Sequence, residues 1–119
     1  MPESRKYLQN ECFYAAYDLY PVNRGHTLII PHRHFPSFFE ISPEEWHVLH
    51  GFICTVKSHI DKEFKPDGYN IGINAGLYAG QTIFHLHIHL IPRYKGDIEG
   101  NPRGGIRNFK KPLVDYPEV

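Results

Sequence analysis

The amino-acid sequence predicts an α+β fold: an antiparallel sheet of about five strands with one long and one short helix. Three observations carry that expectation. Apolar and polar residues alternate with period two in several short segments, one longer segment repeats its apolar residues every three or four positions, and Pro, Gly and Asn punctuate the chain between them. At 119 residues there is room for one core and not for two, so residues 1–119 are expected to form a single domain with a flexible C-terminal tail from about residue 95.

Each element has its own reason. "CFYAAYD", residues 12–18, is aromatic-rich and reads as a strand, and "HTLIIP", residues 26–31, reads as a second one closed by Pro31. "LYPVNRG" between them carries the residues of a turn. "SPEEW" opens a helix, with Ser42 as N-cap, Pro43 at the first helical position and Glu45 closing a capping box. Trp46, Leu49, Ile53, Val56 and Ile60 follow at spacings of three and four, a stripe expected to bury against the sheet. "KPDG", residues 65–68, breaks the helix. "YNIGINAG", residues 69–76, alternates again, with Ile71 and Ile73 on one face and Asn70, Gly72 and Asn74 on the other.

The stretch "TIFHLHIHLIPR", residues 82–93, completes the sheet. On a strand, His85, His87 and His89 share one face while Leu86, Ile88 and Leu90 share the other. Pro92, which has no N–H for a ladder, is expected to end it. Gly72, Gly76 and Gly80, just upstream, are expected to leave backbone N–H groups open in an anion-binding concavity beside the imidazoles.

Three readings compete for the imidazole row. A solvated strand face normally mixes Thr, Lys, Glu and Ser, which this one does not. A zinc site meets a geometric limit: at about 3.3 Å per residue the outer histidines lie roughly 13 Å apart, too far to converge easily on one ion, although a pair with a distant third ligand remains open. In a catalytic row, a central histidine acts while its neighbours set its tautomer and charge.

Composition bounds the partners. Thirteen basic and thirteen acidic residues cancel, leaving no field for nonspecific nucleic-acid binding. No apolar run reaches the roughly eighteen residues of a membrane span, and "MPESRKYLQNE" lacks the apolar segment of a signal peptide. Cys12 and Cys54 are too few and too far apart for a CxxC motif or a disulfide scaffold, which suits the cytoplasm; each is expected to be a small buried apolar residue.

Residues 85–91 match the His-φ-His-φ-His-φ-φ signature (φ, apolar) of the histidine triad (HIT) family of nucleotide hydrolases and transferases. "YDLYPVNRGHTLIIPHRH", residues 17–34, resembles that family's first conserved block, and "NAGLYAGQTIFHLHIHLIPR", residues 74–93, its second. The resemblance implies a HIT-like fold, a nucleotide substrate and a homodimer. It implies that His87 attacks the α-phosphorus to form a nucleotidyl-histidine, that His85 and His89 flank it, and that His26 completes the cluster. It places Asp18 on the ribose hydroxyls and Asn74, Gln81 and Thr82 on the phosphate. Read without it, Asp18 is a turn cap before Pro21 and Asn74 a strand-end amide. No protein-bound cofactor or metal is implied, although Mg²⁺ can arrive with a polyphosphate substrate.

The expected activity is hydrolysis or transfer at the α-phosphate of an adenosine polyphosphate or dinucleoside polyphosphate; "YDLYP" and "NPRGGIR" look similar to bacterial members described as dinucleoside polyphosphate hydrolases. A nucleoside phosphoramidase and a dinucleoside polyphosphate phosphorylase are the alternatives, and an HxHxH metal-binding module is the reading from another class. "NPRGGIRNFKKP", residues 101–112, reads either as a solvated tail or as a basic arm whose Arg103 and Arg107 reach a phosphate, in their own site or in a partner's.

Overall fold

In the computed structural model, which describes residues 5–111, the alternation of the sequence becomes one five-stranded antiparallel sheet. Its strands are β1 (Lys6–Gln9), β2 (Phe13–Tyr17), β3 (Thr27–Pro31), β4 (Gly68–Gly72) and β5 (Ile88–Arg93), in the spatial order β1-β2-β3-β5-β4. The one long helix, α1 (Pro43–Phe64), connects β3 to β4. In place of the expected short helix there are single 3₁₀ turns at Phe38–Glu40, Leu77–Ala79 and Gly105–Asn108. β1, four residues of mixed polarity, was not individually legible. Residues 1–4 and 112–119, to which the domain and tail expectations extend, lie outside the described residues.

Alternate residues of the central strands form the core. Phe13, Ala15, Ile29, Ile88 and Leu90 are buried against Leu49, Phe52, Val56 and Ile60 of α1. Full burial of each large apolar side chain contributes about 1.5–3 kcal/mol relative to exposure. The helical stripe is rotated from the expected one. Phe52 joins Leu49, Val56 and Ile60 in the core, Ile53 is half-buried, and Trp46 is 62% exposed. An i, i+3, i+4 series through residues 49, 52, 56 and 60 fits the sheet, which leaves Trp46 and Ile53 on its flank.

The helix start follows the sequence. Ser42 Oγ accepts from Glu45 N–H (3.1 Å) and Glu45 Oε1 accepts from Ser42 N–H (2.8 Å). Arg33 adds a bidentate pair to the same carboxylate, at 2.8 and 3.1 Å. Among the described residues, no helix is long and apolar enough to cross a membrane. Cys12 is half-buried and Cys54 exposed, on the outer surface of α1, so neither fills the core.

Pro92 does not end its strand. It pairs with Tyr69 inside β5, while the β3–β5 ladder has already stopped at Thr27↔Leu90. A residue's N–H and C=O point to the same side of an antiparallel strand. The Pro92 carbonyl accepts from the Asn23 side chain (3.0 Å), so its missing N–H faces the β2–β3 loop, where no ladder needs it. That loop closes tightly at Gly25, whose φ is +86° and where a Cβ would meet Phe64 Cδ2 at 2.9 Å. The turn therefore delivers His26 to the start of β3 at a fixed position.

Candidate active site

Of the three histidines in the row, only His89 lies in β5. His85 and His87 precede it in an irregular segment: β3 runs on to Pro31, but its ladder with β5 stops at Ile29↔Ile88, and Leu86 N–H instead donates to Phe35 C=O (2.8 Å). The alternation nevertheless persists. Leu86, Ile88 and Leu90 are buried, and the three imidazoles are half-buried on the opposite side.

The hydrogen-bond partners assign the tautomers. His87 Nδ1 donates to the His85 carbonyl (3.0 Å), which leaves its Nε2 as a free lone pair. Val22 N–H donates to His26 Nδ1 (3.0 Å), so the neutral His26 ring carries its proton on Nε2 and donates it to His89 Nδ1 (2.9 Å). His89 is left with its proton on Nε2, as a donor. The His87 and His89 rings lie edge-on with centroids 5.2 Å apart, so acceptor and donor are neighbours.

Burial lowers the pKa of His26, even with Asp18 opposing it, and lowers that of His89, aided by His26 and His87. Both shifts favour the neutral rings, whose N–H groups are the donors just described. His85 departs furthest from the expected row. Its ring turns away to donate from Nε2 to the Pro31 carbonyl (2.9 Å) and packs on His34, with centroids 4.1 Å apart. What it gives His87 is its carbonyl.

Asp18 continues the β2–β3 pairing by one step, its N–H donating to His26 C=O (2.9 Å). Its Oδ1 accepts from Tyr20 N–H (2.9 Å), while Oδ2 lies 3.4 Å from His26 Nε2 and 4.0 Å from His89 Nδ1. Asp18, His26 and His89 are also the one group among the described residues with three potential ligand atoms within 4.8 Å of one another. The HxHxH row itself does not converge in that way.

The glycine-rich loop differs from expectation. Gly76 and Gly80 do adopt positive φ, at 98° and 94°, but their N–H groups are used inside the loop, by Gln81 Oε1 (2.9 Å) and Leu77 C=O (3.0 Å). Gln81 is buried, and its amide nitrogen donates to Pro36 and Ile83 carbonyls, so its side chain shapes the loop and is not free for phosphate. Thr82 and Asn74 are exposed beside it, and Asn74 Nδ2 lies 3.9 Å from where a Gly80 Cβ would stand. In the segment that carries Arg103 and Arg107, Gly100, Pro102 and Gly105 help wall a cleft of about 490 Å³ with Asn70 of β4, Arg93 and Asp97. No histidine lines that cleft.

A smaller cleft, about 230 Å³, opens directly onto the imidazoles. Tyr14, Leu28, Ile30 and Ile83 line it together with Arg5, His85 and His87. Two contributors to the site were not foreseen. A motif reading registers side chains, and Val22 acts through its backbone N–H; Asn23 gave no signal beyond that of a turn residue.

A profile of the HIT domain matches residues 2–96. The chain belongs to the HIT family. An uncharacterized HIT-like protein of Methanocaldococcus jannaschii is 41% identical over 113 residues, which is 93% of this HIT chain and 81% of that protein. The bis(5'-nucleosyl)-tetraphosphatase [asymmetrical] of Schizosaccharomyces pombe is 40% identical over 73% of the chain and 48% of its own length. For the bis(5'-adenosyl)-triphosphatase of Dictyostelium discoideum the figures are 36%, 83% and 66%. The chain thus spans less than two thirds of either named hydrolase. The crystal structure of a HIT family protein from Bacillus anthracis superposes with a TM-score of 0.72 at 39% identity, covering 77% of this chain and 65% of that one.

Proposed function

We propose that this HIT protein hydrolyses or transfers at the α-phosphate of an adenosine polyphosphate or dinucleoside polyphosphate through a nucleotide bonded to His87. The carrying observation is the locked tautomer of His87: with Nδ1–H given to the His85 carbonyl, Nε2 is a ready nucleophile without a separate base. The activities of the yeast and Dictyostelium relatives support the substrate class.

Nε2 attacks the α-phosphorus, the N–P bond forms, and the P–O bond to the leaving nucleotide or phosphate breaks with its electron pair going to that oxygen. His89 Nε2–H, fixed as a donor by His26, stabilises the negative charge around phosphorus. Water then attacks phosphorus and gives up a proton to solvent, the P–N bond breaks with its electron pair returning to His87 Nε2, and a nucleoside monophosphate is released. Asp18 Oδ2 takes the ribose hydroxyls, Thr82 and Asn74 serve the phosphate, and the apolar lining of Tyr14, Leu28 and Ile30 accepts a flat ring. A phosphoramidase and a phosphorylase differ only in the leaving group and the acceptor.

Mass spectrometry of quenched reactions is expected to find a nucleotidyl adduct on His87 and on no other histidine, and His87→Ala to lose turnover while still binding nucleotide. An adduct elsewhere, or an active His87→Ala protein, overturns the proposal. Product analysis over adenosine polyphosphates and phosphoramidates then separates the leaving groups.

We also propose a two-fold dimer. β4 is the outer strand next to β5, and the apolar cleft of about 380 Å³ beside it, walled by Trp46, Ile53, Ile71 and Ile73, suits a second copy.

A further inference from the structure

The loop that fixes the imidazoles is itself held from outside the site. Val22 N–H is the group that occupies His26 Nδ1, and the Asn23 carbonyl accepts from His26 N–H (3.1 Å). The Asn23 side chain spends both amide hydrogens on the far end of β5, donating to Pro92 C=O (3.0 Å) and to Asp97 Oδ2 (2.7 Å). Asp97 is in turn gripped by Arg93 through two bonds of 2.8 Å and by Tyr94 N–H (2.9 Å), and Arg93 reaches Asn70 of β4 (2.7 Å). Asn23 is therefore the link between a rigid ionic corner and the peptide that reads the His26 ring.

We infer that Asn23 is a positioning residue: by pinning the Val22–Asn23 backbone to the Pro92–Asp97 corner, it holds His26 in its Nε2–H tautomer and so keeps His89 Nε2 a donor. While the loop is pinned, a proton on His26 Nδ1 would face the Val22 N–H donor to donor, which is repulsive. If the loop is released, that barrier goes, His26 Nε2 can become an acceptor, and His89 can reverse, with its proton on Nδ1 and only a lone pair on Nε2. The same side chain would then oppose charge on phosphorus instead of stabilising it.

The catalytic consequence rests on the proposed nucleotidyl transfer, whereas the tautomer itself does not. It is read in the free, full-length protein labelled with ¹⁵N-histidine, by long-range ¹H–¹⁵N correlation at neutral pH. Asn23→Ala is expected to convert His26 from a single Nε2–H form to a mixture. It is also expected to lower kcat roughly three- to tenfold, the weight of one hydrogen bond, with KM changed less than about twofold. Tyr94→Phe is the control, because it removes another tie of the same loop, the bond from Tyr94 hydroxyl to Arg24 C=O (2.8 Å), without touching Val22 or Asn23. It is expected to leave the tautomer unchanged. If Asn23→Ala does not fold, Asn23→Asp, which sets a second carboxylate against Asp97, is read in the same way. A single Nε2–H form in the Asn23 variant, or an equal redistribution in Tyr94→Phe, overturns the inference. Absence of turnover on every nucleotide would count against the proposed activity alone, since the spectra still report on Asn23.

Discussion

His26 Nε2 lies 2.9 Å from His89 Nδ1, and the direction of that hydrogen bond is set by a peptide N–H on the other side of the His26 ring. The histidine outside the row thus decides what the last histidine of the row presents. Under the proposed nucleotidyl transfer, charge near the reacting phosphorus would be met by an oriented, half-buried donor and not by a permanent cation.

This separates His89 from His85, which the sequence pattern treats alike. His89→Asn is expected to lower kcat by about 10²- to 10³-fold, the usual cost of losing one oriented donor. His85→Asn is expected to cost less than about tenfold, because the backbone carbonyl that holds His87 survives the substitution. Steady-state rates on one polyphosphate substrate decide; equal losses for both would mean that the His85 ring acts directly.

In the proposed complex Asp18 would meet the ribose in the ground state and the transition state alike, so its loss belongs in KM. Asp18→Asn keeps an acceptor for Tyr20 N–H and spares the turn. It is expected to raise KM by roughly tenfold or more, the scale of about 1.5–3 kcal/mol for a hydrogen bond to a charged group, with a smaller change in kcat. Equal kcat/KM for ribo- and 2′,3′-dideoxy-substrates in the unmutated protein would show that the ribose contact is absent.

Much of this architecture is legible in the sequence, for identifiable reasons. The Ser42–Glu45 box and the alternation of residues 13–17 and 27–31 are local, so the chain states them outright. The alternation of residues 85–90 also reads correctly as two faces. It does not reveal where the ladder begins, because that depends on contact with a partner strand distant in sequence. The loop contacts of Gln81 are not legible in the sequence, because a buried glutamine and a phosphate-binding one look the same until the Pro36 carbonyl comes near. Trp46 was misread because a helix with apolar residues on its flank has two plausible stripes, and only the sheet selects between them.

Acid should weaken the fold in two stages. Burial lowers the pKa values of His26, His85 and His89, so below the ordinary value of about 6.5 the unfolded chain binds more protons than the native one. Their contribution is complete above that pH and is lost as pH falls toward the native values, by up to about 1.4 kcal/mol per pH unit for each proton. Arg33 beside Glu45, and Arg93 beside Asp97, hold those carboxyls below the usual range, so their share persists above about pH 4 and disappears beneath it. Urea midpoints are expected to fall between pH 7.5 and 5.5 and again below about 4. A flat or rising midpoint over the upper interval would show that the imidazoles are not desolvated.

The apolar flank of α1 makes the last prediction. Trp46 and Ile71 are 62% and 51% exposed in the single chain, and they face one cleft beside β4, which pairs only with β5 among the described residues. Apolar surface of this kind next to an outer strand is what the proposed second copy would cover, since pairing satisfies the edge while the side chains leave water. Light scattering at micromolar concentration is expected to give twice the chain mass, and Ile71→Lys to give the single-chain mass with the Trp46 emission shifted to the red. The substitution adds a charge at an exposed position, so the fold itself should survive. Because the imidazole cluster is built within one chain, the monomeric variant is expected to keep the Nε2–H tautomer of His26. A single-chain mass for the unmutated protein would remove the dimer from the account and leave the reading of the histidines untouched.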